Sequence, residues 1–254
     1  MLQSIWTQCG VKKSDFISSN FKAIRIVEAQ AQQARFKLVD SIEEVEILEE
    51  LLENQKPPVP KDDKSDDKLV FTPFRYPPLR HGSRFGKKTE RGIWYGAKNL
   101  VTDFYEAIYY RFLFREHSPA LKYDEQNFSM TSFKVSIKTK KCVDLTKRPF
   151  AQHRDRISAP DSYVDSQQLG SEMRSMGVEA FKYFSARTKG EELSYGIYTP
   201  RVIKMESGIQ KDHWLVVIKP EAAIVTPYDK SKEKRFEIHR DHYLVDGKFP
   251  VIST

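Results

Sequence analysis

The sequence predicts an α+β fold with a helical N-terminal extension, and three observations carry that reading. Apolar residues between Phe16 and Leu52 recur at helical spacing, short alternating apolar runs take over beyond Leu69, and a proline-rich and then almost wholly charged stretch separates the two regimes. The strands and helices of the second regime do not alternate as βαβ units, which favours segregated α+β packing over a doubly wound parallel sheet. With 254 residues, 39% hydrophobic and 12% aromatic, the chain can bury a sizeable core, so its 30% charged content is not a sign of disorder.

In the first regime Ile24, Val27, Ala31, Ala34, Leu38, Val45, Leu48 and Leu52 form a stripe at spacings of three and four, interrupted at Ser41. Ser41 and Glu44 make an S-x-x-E capping box, in which both side chains satisfy free N–H groups at a helix start. The spacing therefore predicts two helices broken near Asp40-Ser41, the second ending before Pro57-Pro58-Val59-Pro60. Lys61 to Lys68 reads as a solvated linker, which divides the chain into a helical extension and linker, residues 1–68, and a main domain, residues 69–254.

Within the main domain, Thr102 to Phe114 reads as a helix with Phe104, Ile108 and Phe112 on its buried stripe and Thr102 as its cap. Gln167 to Met176 reads as another, closed by Gly177. Phe133, Val135 and Ile137 alternate with polar residues as in a half-buried strand. Further strands are expected at Cys142 to Leu145, Ala180 to Phe184, Tyr195 to Tyr198, Trp214 to Ile218, Ile224-Val225 and Phe236 to Val245.

Composition removes several function classes. The formal charge of +7 favours acidic partners, but Lys and Arg are scattered apart from short clusters such as Lys138, Lys140 and Lys141, so no direct nucleic-acid binding is expected. Two cysteines, Cys9 and Cys142, give neither a disulfide framework nor a cysteine zinc site. The six histidines are dispersed without carboxylates or cysteines at ligand spacing, and no metal is expected. Phosphate-loop, dinucleotide-fold, nucleophile-elbow and zinc-protease motifs are absent from the sequence. No apolar run approaches a membrane span and Met1-Leu2-Gln3-Ser4 does not open a secretory signal, so the expectation is a cytoplasmic protein with no membrane association.

The chemically informative stretch runs Phe74-Arg75-Tyr76-Pro77-Pro78-Leu79-Arg80-His81-Gly82-Ser83-Arg84-Phe85-Gly86, then Ile93-Trp94-Tyr95-Gly96-Ala97, then Tyr105-Glu106-Ala107. Gly82 and Gly86 flank Arg84 and let the backbone approach a ligand closely, while the arginine offers a guanidinium fork to phosphate. Tyr95 ends an apolar segment and Glu106 lies on the following helix, which can bring a ring and a carboxylate together. Taken singly, Arg84 reads as a surface ion-pair partner, Tyr95 as a core aromatic and Glu106 as a solvated helix residue. Their ordered combination changes the weighting.

That combination resembles the RES family, named for an arginine, a glutamate and a serine. The resemblance lies in G-S-R-F-G at 82–86, I-W-Y-G-A at 93–97 and F-Y-E-A at 104–107, with Val143-Asp144-Leu145-Thr146 and Tyr183-Phe184-Ser185-Ala186-Arg187 further on. Val27-Glu28-Ala29-Gln30 through Val39-Asp40-Ser41 resembles the leader of longer members. The resemblance implies an ADP-ribosyltransferase-like split β-sheet with flanking helices and an NAD cleft, and a toxin of a toxin–antitoxin pair that depletes NAD. NAD is then a substrate, and no cofactor is expected. Phosphorolysis to nicotinamide and ADP-ribose 1-phosphate is known in the family; some members instead transfer ADP-ribose to a protein. A homodimer and a helix-turn-helix antitoxin are implied in the same way.

Carried over by position, the family's catalytic set falls on Arg84, Tyr95, Glu106 and Ser185, with Ser194 and Ser207 in the same region as the serine. Glu106 would stabilise positive charge developing on the ribose, Arg84 would hold the diphosphate or a nearby anion, and Tyr95 would stack on nicotinamide. Ser185 would hydrogen-bond either the carboxamide or the incoming phosphate. Arg75 joins Arg84, Tyr95 and Ser185 as an NAD-binding candidate. Inorganic phosphate needs its own anion site, for which Arg75, Arg80 and Arg187 are the candidates. Two alternatives stay open: an ADP-ribosyltransferase acting on a protein, and a binding module with an inactive cleft.

Overall fold

The structure, a computed structural model, describes residues 3–29, 44, 47, 51, 55, 57, 68–76, 81–121, 123–204, 211–229, 231 and 235–253. Its organising element is β3, Gln126–Asp144, a strand of 19 residues in which buried Val135, Ile137 and Thr139 alternate with exposed Lys134, Lys138 and Lys140 or half-buried Ser136. That period of two is the pleat of a strand with one apolar face. The segment from Cys142, expected as a separate strand, is the far end of this same strand.

β1, Ile17–Glu28, corrects the sequence reading most sharply, because a helix was expected there. It runs antiparallel along β3, from Ile17 opposite Cys142 to Glu28 opposite Met130. Ile24 and Val27 do fall at helical spacing, but the segment also alternates. Phe21, Ala23 and Val27 face the cluster around Trp94 and Phe133, while Ile26 faces the cluster around Trp214. Ile and Val are stiff at χ1 and pack well on a pleated surface, so a strand covered on both sides suits them better than a helix. Residues 17–28 thus belong to the sheet and are not part of a helical extension. Ser41 and most of the linker, 61–67, lie outside the described residues; Glu44 is helical.

The sheet has nine strands among the described residues. Besides β1 and β3 these are β2 (Trp94–Ala97), β4 (Ala180–Phe184), β5 (Leu193–Ile197), β6 (Ile203–Lys204), β7 (Asp212–Ile218), β8 (Ala222–Pro227) and β9 (Phe236–His239). The chain leaves the sheet after His239 into a 3-10 turn at Arg240–Tyr243, so the strand expected to reach Val245 is shorter. β1 pairs with both β2 and β3, and β2 joins β5, β5 joins β4 and β4 joins β3, closing a circuit of five strands. β7, β8 and β9 extend from the N-terminal half of β3 as an antiparallel wing, and the β3–β4 pair alone is parallel.

Five α-helices are described: α1 (Ile5–Cys9), α2 (Lys68–Arg75), α3 (Leu100–Glu116), α4 (Arg154–Ile157) and α5 (Val164–Ser175). α3 starts earlier than expected because Asn99, not Thr102, is its cap: the Asn99 side chain accepts from the Thr102 N–H at 2.8 Å. Phe104, Ile108, Tyr109 and Phe112 of α3 are fully buried against the β7–β9 wing. Each such side chain contributes roughly 1.5–3 kcal/mol. α5 ends as expected, with Gly177 just beyond it at φ 83°, in the left-handed region. α1 and α5 pack with Phe85, Phe181 and Tyr183 over the opposite part of the sheet.

Candidate active site

A cleft of about 260 Å³ opens between β1, β2, α3 and the loop at 81–86. Arg84 is carried by that loop. Ser83 and Gly86 bridge to each other, with Ser83 N–H donating to the Gly86 carbonyl at 2.7 Å. Gly82 sits at φ 71°, and a Cβ there would lie 2.3 Å from the Gly86 oxygen, so the turn requires glycine. Gln167 of α5 donates to the carbonyls of His81 and Ser83, both at 3.0 Å, and ties the loop to the helix. Arg84 is buried, donates from Nη1 to the Ala159 carbonyl at 2.8 Å, and lies 4.7 Å over the Tyr163 ring. Its Nη2 has no partner among the described residues. A buried guanidinium fork with an unused N–H is ready to donate to an anionic oxygen.

Tyr95 is fixed by its hydroxyl, which pairs with Ser83 Oγ at 2.9 Å and accepts from the Phe85 N–H at 3.1 Å. Burial pushes this phenol up to about 12, against the opposing effect of those hydrogen bonds, so it stays neutral at ordinary pH. The hydroxyl is therefore committed to holding the Arg84 loop, and the ring is what Tyr95 offers to the cleft.

Glu106 projects from α3 into the cleft and accepts a 2.6 Å hydrogen bond from Ser185 Oγ, just past the end of β4. Ser185 is buried, and its oxygen accepts in turn from the Arg187 N–H at 3.1 Å. This chain of two bonds sets the rotamer of the serine and aims the carboxylate. Arg84, Tyr95 and Glu106 line the cleft directly, and Ser185 stands behind Glu106.

The remaining candidates are placed elsewhere. Arg75, at the end of α2, donates to the Pro57 carbonyl and does not line the cleft. Arg187 is buried beside it, with Nη1 on the Pro160 carbonyl at 2.6 Å and its guanidinium 3.4 Å over the Tyr109 ring, so it supports the site's frame without lining the cleft. Arg80 and Ser207 lie outside the described residues. Ser194 does line the cleft, and its buried hydroxyl has no partner among the described residues.

Two charged cleft residues escape the sequence reading. Arg25, on β1, donates from Nη1 to the Tyr95 carbonyl and packs 5.3 Å over the Trp94 ring. Asp103, one helical turn before Glu106, accepts from the Ile26 N–H. Burial pushes the Asp103 carboxyl up to about 8, although Arg25 and the Ile26 N–H pull the other way; burial likewise lowers Arg25 to about 10, against the attraction of Asp103. The available signal was a lone arginine inside the apolar run Ile24 to Val27, and a carboxylate at helical spacing from Glu106. Among the described residues no group of three or more His, Cys, Asp or Glu side chains is arranged to hold a metal ion.

Residues 61–218 match the RES domain. The chain belongs to the RES domain family. The matched span contains Arg84, Tyr95, Glu106 and Ser185, and leaves β1, with Arg25, outside it. No curated protein matches this RES chain. Among solved structures it is similar to a chain of the M. tuberculosis MbcT–MbcA toxin–antitoxin complex, at 10% identity and a TM-score of 0.43, over 81% of this chain and 87% of that one. No helix among the described residues of the RES chain is long and apolar enough to cross a membrane.

Proposed function

We propose that this RES protein is a cytoplasmic, NAD-degrading toxin, built on a split sheet of the ADP-ribosyltransferase kind, that cleaves the nicotinamide–ribose bond by phosphorolysis. The observation that carries the reading is the Ser185–Glu106 hydrogen bond, which holds a carboxylate in a cleft that also contains the partly unpartnered Arg84 and the neutral ring of Tyr95. RES membership supports the toxin role, with a helix-turn-helix antitoxin as partner and a homodimer as assembly.

In this reading the C1′–N bond breaks with its electron pair leaving on nicotinamide, and positive charge develops on the ribose. Glu106 faces that charge, and its fixed orientation means no reorganisation is needed at the transition state. Tyr95 stacks on the departing ring, while Arg84 neutralises a phosphate oxygen through Nη2. Inorganic phosphate then forms the new C1′–O bond, giving nicotinamide and ADP-ribose 1-phosphate. Ser185 acts through Glu106 and is a positioning residue. Its hydroxyl donates to the carboxylate, which leaves it no donor for a carboxamide while that bond persists.

The test is to incubate the purified protein with NAD, with and without inorganic phosphate, and identify the products by mass. ADP-ribose 1-phosphate formed only with phosphate is the expected result. Free ADP-ribose in both reactions would replace phosphorolysis by hydrolysis. Intact NAD in both, with label from NAD appearing on a protein, would replace it by ADP-ribosyl transfer.

A further inference from the structure

The 3-10 turn Arg240–Tyr243 lies beyond the span that matches the RES family, yet it grips the chain on both sides of the Ser185–Glu106 hydrogen bond. We propose that His242 and Tyr243 are positioning residues that set the geometry of that bond, His242 from the serine side and Tyr243 from the glutamate side. The inference rests on the reading that Glu106 is the carboxylate facing the ribose. It deepens that reading by assigning the aim of the carboxylate to two side chains that do not line the cleft.

Three observations carry it. His242 Nε2 lies 2.9 Å from the Arg187 carbonyl oxygen, which can only accept, so the ring nitrogen is the donor. Arg187 in turn gives its N–H to Ser185 Oγ at 3.1 Å, and the serine hydroxyl donates to Glu106 at 2.6 Å. Holding residue 187 by its carbonyl therefore holds the N–H that fixes the serine. On the other side, the Tyr243 hydroxyl donates at 2.8 Å to the carbonyl of Tyr105, the residue before Glu106. The His242 ring also packs on the Tyr105 ring, with centroids 4.5 Å apart. The turn has its own anchors: Arg240 donates from its N–H to the Glu221 carbonyl and from Nε to Glu116 at the end of α3, both at 2.8 Å. Hydrogen bonds weaken steeply with misalignment, so a frame fixed on both sides decides how firmly Glu106 is aimed. Filling the core does not need these two polar contacts, since the Tyr243 ring already packs on Tyr109, Phe112 and Phe249.

The experiment reads Glu106 directly. The full chain is labelled with carbon-13 at the glutamate carboxyl carbons, and the Glu106 resonance is assigned by its absence from Glu106→Gln. It is then followed in Ser185→Ala, His242→Phe, His242→Gln and Tyr243→Phe, with melting temperatures recorded alongside. Ser185→Ala marks the displacement that loss of the bond produces. His242→Phe keeps a ring beside Tyr105 without a donor and should move the resonance in the same direction. His242→Gln restores an N–H at similar reach and should return it towards its original position. Tyr243→Phe, which loses a single hydroxyl, should move it as well. A shift in one phenylalanine variant alone confines the role to that residue, and an unmoved resonance in both overturns the proposal. Single-turnover cleavage of NAD adds a second reading: His242→Phe should slow it by about tenfold with NAD affinity nearly unchanged. With Ser185→Ala already in place the same change should cost less than about twofold, because its effect runs through the serine. Equal slowing in both backgrounds would make His242 a support of the fold alone and overturn its positioning role. If the resonance moves while NAD stays intact, the phosphorolysis reading fails and this inference stands. If NAD is phosphorolysed and the resonance stays in place, the inference fails and that reading stands.

Discussion

At the residue scale, Tyr95 and Asp103 are the side chains whose burial has the clearest consequences. The Tyr95 hydroxyl satisfies the Phe85 N–H and Ser83, so a Tyr95→Phe variant keeps the ring but strips the Arg84 loop of its anchor. A buried donor left without its acceptor costs roughly 1–3 kcal/mol, and denaturant melts should show a loss in that range together with weaker NAD binding. Full stability in this variant would mean that the loop is held by Gln167 and by the Arg84 bond to Ala159 without the Tyr95 hydroxyl. Asp103 makes a pH prediction. Its folded value of about 8 lies above the ordinary 3.8, so the folded state binds the proton more tightly and the favourable contribution is complete only below the ordinary value. Stability should therefore decline as pH rises from that value towards 8. An Asp103→Asn variant should lose that part of the slope; an unchanged pH profile would show that Asp103 ionises freely. Arg84, Tyr95 and Glu106 were legible in the sequence because each lies in a short motif of its own. Arg25 and Asp103 were not, since neither has a motif and only the placement of β1 beside β2 and against α3 brings them to one wall.

At the element scale, Ile24 and Val27 fit helical spacing while Phe21, Ala23 and Val27 fit strand alternation, and the choice between the two patterns was made by a partner distant in sequence. A ladder against β3, with apolar clusters packed on both faces, is invisible to a local window. The segments at Ala180 to Phe184 and Trp214 to Ile218 were legible because their apolar runs are short and bounded, whereas β2 is only four residues long and was seen merely as an apolar stretch before Tyr95. α5 carries a further prediction. A Cβ at Gly170 would stand 1.9 Å from the Phe85 carbonyl oxygen, which is backbone and cannot swing away. Gly170→Ala should therefore push α5 off the loop that bears Arg84, destabilising by roughly 1–3 kcal/mol and lowering NAD turnover in the fraction that folds. Thermal melts and turnover measured on the same sample check both effects, and an alanine variant with unchanged melt and rate would refute the tight seam.

At the scale of the whole molecule, the α+β class followed from alternation without βαβ regularity, but the closed circuit of β1, β2, β5, β4 and β3 did not, because closure depends on β1 being a strand. The circuit makes a prediction about the family-matched span. A chain trimmed to residues 61–218 loses β1, β8 and β9, uncovering the edges of β2 and β3 and the apolar clusters around Trp94 and Trp214. Such a chain should aggregate or fail to give a cooperative melt, while the full chain melts cooperatively. A soluble, cooperatively melting fragment would show that β1 is dispensable. The same integration explains why the cleft draws on three distant parts of the chain: Arg25 from β1, the 81–97 region, and Glu106 with its Ser185 support from across the sheet. The measurement that bears most directly on the central claim compares NAD affinity and single-turnover cleavage for the unmodified protein and for Glu106→Gln. Loss of an electrostatic contact made mainly in the transition state should slow cleavage by about a hundredfold or more while changing NAD affinity only a few-fold. Cleavage by Glu106→Gln at the unmodified rate would contradict the account.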